Sequence, residues 1–550
     1  MAGMGTLWRT VRHLKARQLL GRVAFRLRRP KADLRAAPKL RALRGTWAEP
    51  AHRAASMLGP TRWRLLNHEG DLADLGWDNT GAAKLWRYNQ HYFDDLNALN
   101  APARRDWHNA LVARWVAENS PSQGSGWEPY PTSLRIVNWV KWWLGGAPAT
   151  PDALHSLAVQ ARWLRQRLEW HLLGNHLFAN AKALVFAGLF FDDDEADEWL
   201  ACGLRILRRE LPEQVLADGG QFERSPMYHA LAFEDVLDLI NVARAAGDGD
   251  AAVGHLLQAC QQRGPAMLHW LRCMSHPDGE IGFFNDAAPG IAPRNAELEL
   301  YAKLLGVVAE PPGVKGTLLL EPSGYARASH GTMLALMDVA PVGPDYLPGH
   351  AHADTLSFEL SLAGRRVVVN GGTSCYGISA ERLRERGTAA HSTVQLGSVD
   401  SSEVWSGFRV GRRARAFGVT VSAIEVRASH DGYAWLPGKP VHQRTWRFET
   451  GGMVVEDEVL GGPYPAVARF HLAPGVTAQP ADSTHWDLCR DEQWLARVQC
   501  LVGRCEVLPS THAPAFGVVV ATQTLTVHLA GGRAITHWTW STGAHSLSER

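Results

Sequence analysis

A change in hydrophobic period near residue 320 constrains the fold of this chain more than any other feature. From about residue 85 to 310, apolar residues recur at spacings of three and four, as in residues 154–173 and 234–247, which is the period of helices that bury one side. After the segment PPGVKG (311–316), apolar and polar residues alternate between Gly-rich turns, as in antiparallel strands. The sequence therefore predicts a multidomain α+β protein.

The helical part consists of several successive hairpins, which favours a solenoid closed into an (α/α) toroid. The strand-rich part favours an antiparallel β-sandwich, because many antiparallel strands must hide their edges. We expect a basic arm with lead-in helices over residues 1–84, the toroid over 85–318 and the sandwich over 319–550.

Several classes of protein are excluded by composition and patterning. Hydrophobic residues make up 46% of the 550 residues and charged residues 20%, which suits a folded chain with a large core. The longest apolar run, residues 183–191, falls well short of the roughly 18 residues of a membrane span. Seven cysteines without a CxxC pair argue against a disulfide framework or a cysteine zinc site.

The first 45 residues are strongly basic. They hold 13 Lys or Arg and one acidic residue, Asp33, so this arm could contact anionic lipid at a membrane periphery or an anionic polysaccharide, or dock on the acidic remainder of the chain. Nucleic acid is not expected, because no recognition motif accompanies the arm. Charges interrupt the N-terminus and leave no signal-peptide core, which predicts a cytoplasmic location.

Tryptophan is abundant, with 22 residues against 10 tyrosines. An indole presents a flat apolar face with one polar N–H group, which suits stacking on a sugar ring. The same side chain also fills protein cores, and the composition leaves both uses open.

Reactive side chains concentrate in a few short segments. In GNHLFANAKAL, Asn175 and His176 follow a helix break at Gly174, and an amide beside an imidazole can hold a carboxylate. Helix capping with a satisfied core histidine is the alternative.

A second segment, ERSPMYHAL, predicts a helix start with Ser225 as N-cap and Pro226 as first residue. Tyr228 then lies in the first turn near helix N–H groups and Arg224, which would favour the phenolate needed for proton transfer. A buried tyrosine with a bonded hydroxyl is the alternative.

A third segment, GHAHADTLSFEL, places His350, His352 and Asp354 at alternate positions. They would share one face if this segment is already strand, and His391 could join them as a third imidazole. Proton transfer, metal binding and a structural hydrogen-bond cluster are all compatible with this group. Because the reactive segments come from both halves, we expect a cleft between the two domains.

Together these segments resemble a known family. WRYNQHYFDDL (86–96), WEPYPTSLRIVNW (127–139), GNHLFANAKALVFAGLFF, DGGQFERSPMYHAL, GHAHADTLSFEL, VVVNGGTSCYG and RGTAAHSTV are similar to motifs of the heparinase II/III-like polysaccharide lyases and their alginate lyase relatives. The resemblance spans roughly residues 85–475. It implies an (α/α) toroid, a β-sandwich and an active site in the cleft between them, and it would favour a periplasmic location as the alternative.

The resemblance also implies roles for individual residues. The catalytic set matches Asn175, His176, Tyr228 and His350, and Glu223 and Arg224 match neighbours that shape the site. Further substrate contacts are expected from Asn89, His91, Trp127, Trp405 and Arg409. A structural zinc, common in the family, would fall on His352, Asn370 and His391, although Asn370 stands where the family usually has a carboxylate.

The expected reaction is β-elimination on a uronic-acid-containing polysaccharide, with no cofactor needed for the chemistry. Asn175 and His176 would neutralise the substrate carboxylate, with Arg224 as a further candidate for this task. Tyr228 would act as general acid and is also a candidate base, and His350 would be an alternative base. Two alternatives stay open. A glycoside hydrolase on the same scaffold would use a carboxylate pair from Asp218, Glu223, Asp235 and Asp286. A non-catalytic glycan-binding protein of exopolysaccharide biosynthesis would need no catalytic carboxylates.

Overall fold

A computed structural model describes residues 3–247, 249–313 and 315–541. Within these residues the N-terminal part is mainly helical, and the C-terminal part is built mainly from two large antiparallel sheets, which confirms the predicted fold class. The last helix of the first part ends at Leu304 and the first strand of the second part begins at Gly316. The change of hydrophobic period therefore marks the domain boundary closely.

The α-helices of the described residues are α1 (Met4–Val11), α2 (Ala16–Leu27), α3 (Leu72–Leu75), α4 (Lys84–Gln90), α5 (Arg105–Glu118), α6 (Pro129–Leu144), α7 (Pro151–Gln166), α8 (Gly174–Phe190), α9 (Asp194–Gln214), α10 (Pro226–Ala246), α11 (Ala251–Cys273), α12 (Asn295–Leu304) and α13 (Ala380–Arg386). Short 3-10 helices cover Asp94–Asn97, Ala101–Arg104, Ser125–Trp127 and Thr388–Ala390.

Capping residues set the starts of the toroid helices. Thr150 caps α7, Asp193 caps α9 and Ser225 caps α10, and each side chain accepts a hydrogen bond from a backbone N–H of the first turn. Pro151 and Pro226 occupy first helical positions, where a missing N–H costs nothing. The Ser225 and Pro226 prediction is thus confirmed, and it places Tyr228 in the first turn.

The toroid core is rich in indole rings. Trp115, Trp139 and Trp199 are almost completely buried, and Trp115 and Trp139 meet edge to face with ring centroids 5.7 Å apart. The tryptophans Trp63, Trp86, Trp127 and Trp163 border the cleft but are no more than 8% exposed. These side chains therefore fill the core and present no open face to a sugar.

The strands are β1 (Lys39–Leu40), β2 (Arg62–Leu65), β3 (His68–Asp71), β4 (Phe191–Asp192), β5 (Gly316–Leu320), β6 (Tyr325–His330), β7 (Met333–Asp338), β8 (Phe358–Leu362), β9 (Arg365–Val369), β10 (Val394–Leu396), β11 (Val404–Trp405), β12 (Arg409–Val410), β13 (Ala416–Ser422), β14 (Glu425–His430), β15 (Val441–Glu449), β16 (Gly452–Leu460), β17 (Ala466–Leu472), β18 (Val476–Pro480), β19 (His485–Arg490), β20 (Gln493–Val502), β21 (Arg504–Ala515), β22 (Val518–His528) and β23 (Arg533–Thr539).

Two large sheets form the sandwich. One has the order β21-β22-β17-β9-β8-β7-β6-β5, with β10 paired to β17, and the other has the order β13-β14-β15-β16-β23-β20-β19-β18. Aromatic rings join the inner faces, since Phe358 meets Trp446 and Phe470 meets Trp538. Buried Arg444 donates to the carbonyls of Leu356 and Ser392, so the sandwich core fixes loops that border the site.

The basic arm docks on the rest of the chain, as one of the open alternatives predicted. Arg9 pairs with Glu403 of the sandwich, Lys15 pairs with Glu213 of the toroid, and the Trp405 indole donates to Thr10. The arm thus bridges both domains. None of the described helices is long and apolar enough to cross a membrane.

Candidate active site

A cavity of about 1930 Å³ lies between the two domains. The N-terminal turns of α8 and α10 line its toroid side, and residues 345–350, 374–378 and 406–410 line its sandwich side. It brings together Asn175, His176, Tyr228 and His350, the four residues that the resemblance assigns to catalysis.

His176 stands in an ion pair at the start of α8. Its Nδ1 lies 3.1 Å from Oε1 of Glu169, and its ring packs 4.6 Å from that of Tyr130. Burial is the largest single influence and lowers the pKa of His176, but the charge and hydrogen bond of Glu169, together with the charge of Glu223, raise the pKa above its ordinary value. His176 therefore holds its proton to a higher pH than a free imidazole, which suits binding of an anion.

Asn175 and Glu169 complete this side of the site. Asn175 is half-buried at the cavity wall, where its amide can reach a ligand. Asn180 Nδ2 donates to Glu169 Oε2 at 3.0 Å, which holds the carboxylate against His176. No sequence pattern marks Glu169 as the partner of His176, seven residues further along the chain.

Tyr228 projects into the cleft from the first turn of α10. Its ring centroid lies 4.0 Å from that of His350 and its hydroxyl lies 3.1 Å from the hydroxyl of Tyr376. The expectation of a phenolate was wrong: burial, and after it Tyr376, raises the pKa of Tyr228 well above its ordinary value. Arg224 has no part in this site, because its guanidinium turns away and donates to the carbonyls of Ser323 and Phe222.

His350 enters from the sandwich and is oriented by Asp286 of the toroid. Nδ1 of His350 lies 2.8 Å from Oδ2 of Asp286, so a neutral ring that donates from Nδ1 leaves the Nε2 lone pair free to accept a proton. Nε2 lies 3.8 Å from Oε2 of Glu223. Residues 350–354 form a loop before β8, and the expectation that they share one strand face was wrong.

Asp286 is the centre of a buried network. It accepts from His350, from Nε2 of His352 at 2.8 Å and from both terminal nitrogens of Arg382. Burial alone would raise the pKa of Asp286, but Arg382, His350 and His352 hold it well below its ordinary value. The carboxylate therefore stays ionised and keeps both imidazoles oriented.

Glu223 contributes a buried carboxyl group to the cleft. It is 2% exposed, and its Oε2 has no hydrogen-bond partner among the described residues. Burial is the largest influence and raises the pKa of Glu223 despite the opposing effect of His350. A protonated Glu223 could donate to a bound sugar hydroxyl or carboxylate.

Tyr376 belongs to the site although it was not predicted. Its hydroxyl meets Tyr228, and its ring packs against Phe408, Phe516 and the Arg382 guanidinium. It lies in the segment VVVNGGTSCYG that carried part of the resemblance. That segment was the available signal, but its spacing does not show which side chain reaches Tyr228.

The expected substrate-binding residues divide into two groups. Asn89 and Arg409 line the cavity. Trp127 also borders the cavity, although it is only 3% exposed. The expectation fails for His91, which is fully buried between Trp77 O and the Trp115 indole. It also fails for Trp405, whose indole N–H is bound to Thr10 of the arm.

The residues expected to hold zinc do not form a zinc site. His352 Nδ1 and His391 Nε2 lie 3.3 Å apart, but Asn370 Oδ1 accepts from the backbone N–H of Ser392. Within the described ranges, no group of three His, Cys, Asp or Glu side chains could hold a metal ion. Two imidazoles and an amide oxygen that already accepts a hydrogen bond fall short of the four ligands of a structural zinc. We therefore assign no step of the reaction to a metal.

Comparison with known sequences identifies the family. The description "Heparinase II/III N-terminus" matches residues 98–305 and "Heparinase II/III-like, C-terminal" matches residues 314–545. The chain belongs to the heparinase II/III-like family. The arm precedes both matched regions, so the family descriptions do not account for it.

The individual relatives share only a low sequence identity with this chain. A heparin-sulfate lyase of Bacteroides stercoris is 28% identical over 242 residues, which is 40% of this chain and 35% of that protein. The FtsZ-localized protein C of Caulobacter vibrioides is 26% identical over 400 residues, 66% of this chain and 64% of that protein. The match thus spans about a third of the length of the Bacteroides relative.

Solved structures with the same fold include heparinase III. A crystal structure of that protein matches with a TM-score of 0.65 at 18% identity and covers 85% of this chain and 80% of its own. A heparan sulfate lyase from Pedobacter heparinus matches with a TM-score of 0.56 at 18% identity, covering 87% and 80%. At this identity the likeness concerns the fold.

Proposed function

We propose that this protein is a polysaccharide lyase that cleaves a uronic-acid-containing polysaccharide by β-elimination. The observation that carries the proposal is the pairing of Tyr228 with His350, 4.0 Å apart between ring centroids, in the cleft that also contains Asn175 and His176. Family membership and the names of the relatives, heparin-sulfate lyases among them, support it.

The first task of such a lyase is to neutralise the C6 carboxylate, because removal of the C5 proton drives negative charge onto it. His176, kept protonated by Glu169, supplies a positive charge, and Asn175 supplies an amide donor. Both interactions strengthen as charge builds on the carboxylate.

The remaining tasks are two proton transfers. Nε2 of His350 accepts the C5 proton, the C4–O4 bond breaks as the C4–C5 double bond forms, and the Tyr228 hydroxyl protonates the departing O4. A leaving alkoxide is basic enough to take the proton of a phenol with a raised pKa. The resulting phenolate, next to the His350 ring, regains a proton from the imidazolium and restores the site.

A hydrolase is less well supported by the carboxylates. Asp286 is held by Arg382 and two histidines, Asp235 by Lys182, and Asp218 by Ser323. Among these four candidate carboxyl groups, Glu223 therefore has no free partner, whereas hydrolysis by the usual routes needs two carboxyl groups facing the same bond.

An anionic substrate also suits the wall of the cavity. Arg22 of the arm and Arg409 of the sandwich both line the cavity and are close enough for Arg22 to lower the pKa of Arg409, after the larger effect of burial. Two neighbouring guanidinium groups on a cavity wall favour the binding of an anionic group. We propose that they bind a second acidic group of the polysaccharide. No cofactor enters this scheme, and the cellular location stays a prediction.

Absorbance at the wavelength of a conjugated uronate tests the proposal. The protein is incubated with heparan sulfate, heparin, hyaluronan, alginate and bacterial exopolysaccharides. Absorbance should rise with one of them, and Tyr228→Phe should slow the rise by at least about 10².

Tyr433→Phe is the matched control, because Tyr433 is also buried and donates one hydrogen bond, to Val394 O in the sandwich. It should keep near-normal turnover. New saturated reducing ends would transfer the function to a hydrolase. Binding of a polysaccharide without any cleavage, unchanged in Tyr228→Phe, would indicate a glycan-binding protein instead.

A further inference from the structure

The arm helices expose their apolar sides to solvent. On α1, Met4, Leu7, Trp8 and Val11 follow the i, i+3, i+4, i+7 spacing of one helix face and are 89%, 45%, 68% and 42% exposed. A surface helix of a folded domain normally turns such a stripe inward. On α1 the stripe faces outward.

The second arm helix repeats this arrangement. On α2, Leu19, Leu20, Val23 and Leu27 are 44%, 71%, 58% and 78% exposed. Single exposed apolar residues are ordinary, but eight of them on two successive helices indicate an interaction surface. We call these eight side chains of α1 and α2 the arm stripe.

Contacts on the opposite sides of both helices fix this orientation. Thr10 and Gln18 are buried, and Gln18 donates to the carbonyl of Tyr346. Arg9 and Lys15 form the ion pairs with Glu403 and Glu213. The polar sides thus hold the arm on both domains, and turning the arm stripe inward would break these contacts.

The charge around the arm stripe indicates its partner. Arg12 directly follows α1, Arg26 lies on α2, and Arg28 and Arg29 directly follow α2, all of them exposed. No acidic residue precedes Asp33. An apolar face with a cationic margin is the pattern of helices that lie in the interface of an anionic membrane. Trp8 adds an indole, which favours the headgroup region.

We propose that the arm stripe docks the protein on an anionic lipid surface, with α1 and α2 lying in the plane of that surface. A second copy of the chain fits less well, because two such cationic margins would repel each other. Since α2 also lines the cavity through Gln18, Arg22 and Phe25, docking would hold this wall of the cavity next to the lipid headgroups.

Sedimentation with vesicles tests this proposal without any polysaccharide, so its outcome is independent of the lyase assay. The full chain should sediment with phosphatidylglycerol vesicles and much less with phosphatidylcholine vesicles, and salt should weaken the binding. The double variant Trp8→Glu/Leu20→Glu should lower the bound fraction at least about tenfold. Reversal of Arg26, Arg28 and Arg29 to Glu should lower it on anionic vesicles.

Ile424→Glu is the matched control, since Ile424 is an apolar side chain of the sandwich with 57% exposure. It should bind vesicles as the unchanged protein does. Equal vesicle binding by the double variant and the unchanged protein would overturn the proposal. The proposal would also be overturned if the unchanged protein did not bind vesicles and the double variant differed from it in oligomeric state. That result would assign the arm stripe to contacts between copies of the chain.

Discussion

The hydroxyl pair of Tyr228 and Tyr376 allows the proton donor to be separated from a residue that orients it. The oxygens lie 3.1 Å apart, and Tyr376 is otherwise held by Phe408, Phe516 and Arg382. Tyr376→Phe keeps these ring contacts and removes one neutral hydrogen bond. Such a bond is worth about 0.5–1.5 kcal/mol, which corresponds to a loss of about 2-fold to 13-fold in rate.

Tyr228→Phe should cost far more, because it removes the group that protonates the leaving oxygen, a contribution of about 10² to 10⁴. The assay is the initial rate of absorbance increase on the active polysaccharide, with KM and kcat determined separately for each variant. Tyr376→Phe should act mainly on kcat. Thermal unfolding of both variants should show similar small losses, since each removes one buried hydroxyl.

The reasoning is refuted if Tyr376→Phe loses as much activity as Tyr228→Phe. That result would make Tyr376 the donor, or the two hydroxyls an inseparable unit. A larger loss in Tyr376→Phe than in Tyr228→Phe would exchange their roles.

Two further predictions concern charge. The cation of His176 is lost as pH rises through its raised pKa, so Glu169→Gln, which lowers that pKa, should move the alkaline limb of the rate profile to lower pH. Glu128 is another carboxylate of the cavity and is bound to Tyr88 and Lys84, so Glu128→Gln is the control and should leave that limb in place. If the limb does not move in either variant, His176 takes no part in the step. Arg409→Ala should raise KM about tenfold at low salt and by less at high salt, with kcat little changed. If the substitution leaves KM unchanged, no acidic group of the substrate binds at Arg409.

The sequence predicted the fold because its hydrophobic period changes at one place. Helices and strands bury side chains at different spacings, so the change from toroid to sandwich was predicted near residue 320, a few residues after the start of β5 at Gly316. The start of α10 was equally accessible, since Ser225 and Pro226 have positional preferences that depend on local backbone geometry alone.

The parts of the site that were missed depend on tertiary contacts. Asp286 was expected only as a candidate carboxylate of a hydrolase, and its pairing with His350, like that of Tyr376 with Tyr228, joins segments far apart in the chain. Glu169 lies seven residues before His176, but no local pattern shows that these two side chains meet. The direction of the Tyr228 pKa was misjudged for the same reason: the nearby Arg224 was visible in the sequence, but its turn towards Ser323 and the burial of the phenol were not.

The tryptophans and the expected zinc ligands show a different limit. Trp127 and His91 are residue types that suit a sugar or a ligand, but the packing of the toroid uses them internally. Asn370 was a visible departure, and its amide is committed to the Ser392 backbone. The residue type limits the roles that a side chain can take, and the residues packed around it in the fold determine which of these roles it has.

Residues of both domains form the site. Asp286, in the loop between α11 and α12, orients His350, and it is held by Arg382 of the sandwich, while its carbonyl accepts from Ser225 at the start of α10. Some of the bonds that join the two domains are therefore also the bonds that orient the proton-transfer site. Catalytic competence should then appear only once the two halves have met, and a chain cut between them should stay inert until its pieces associate again.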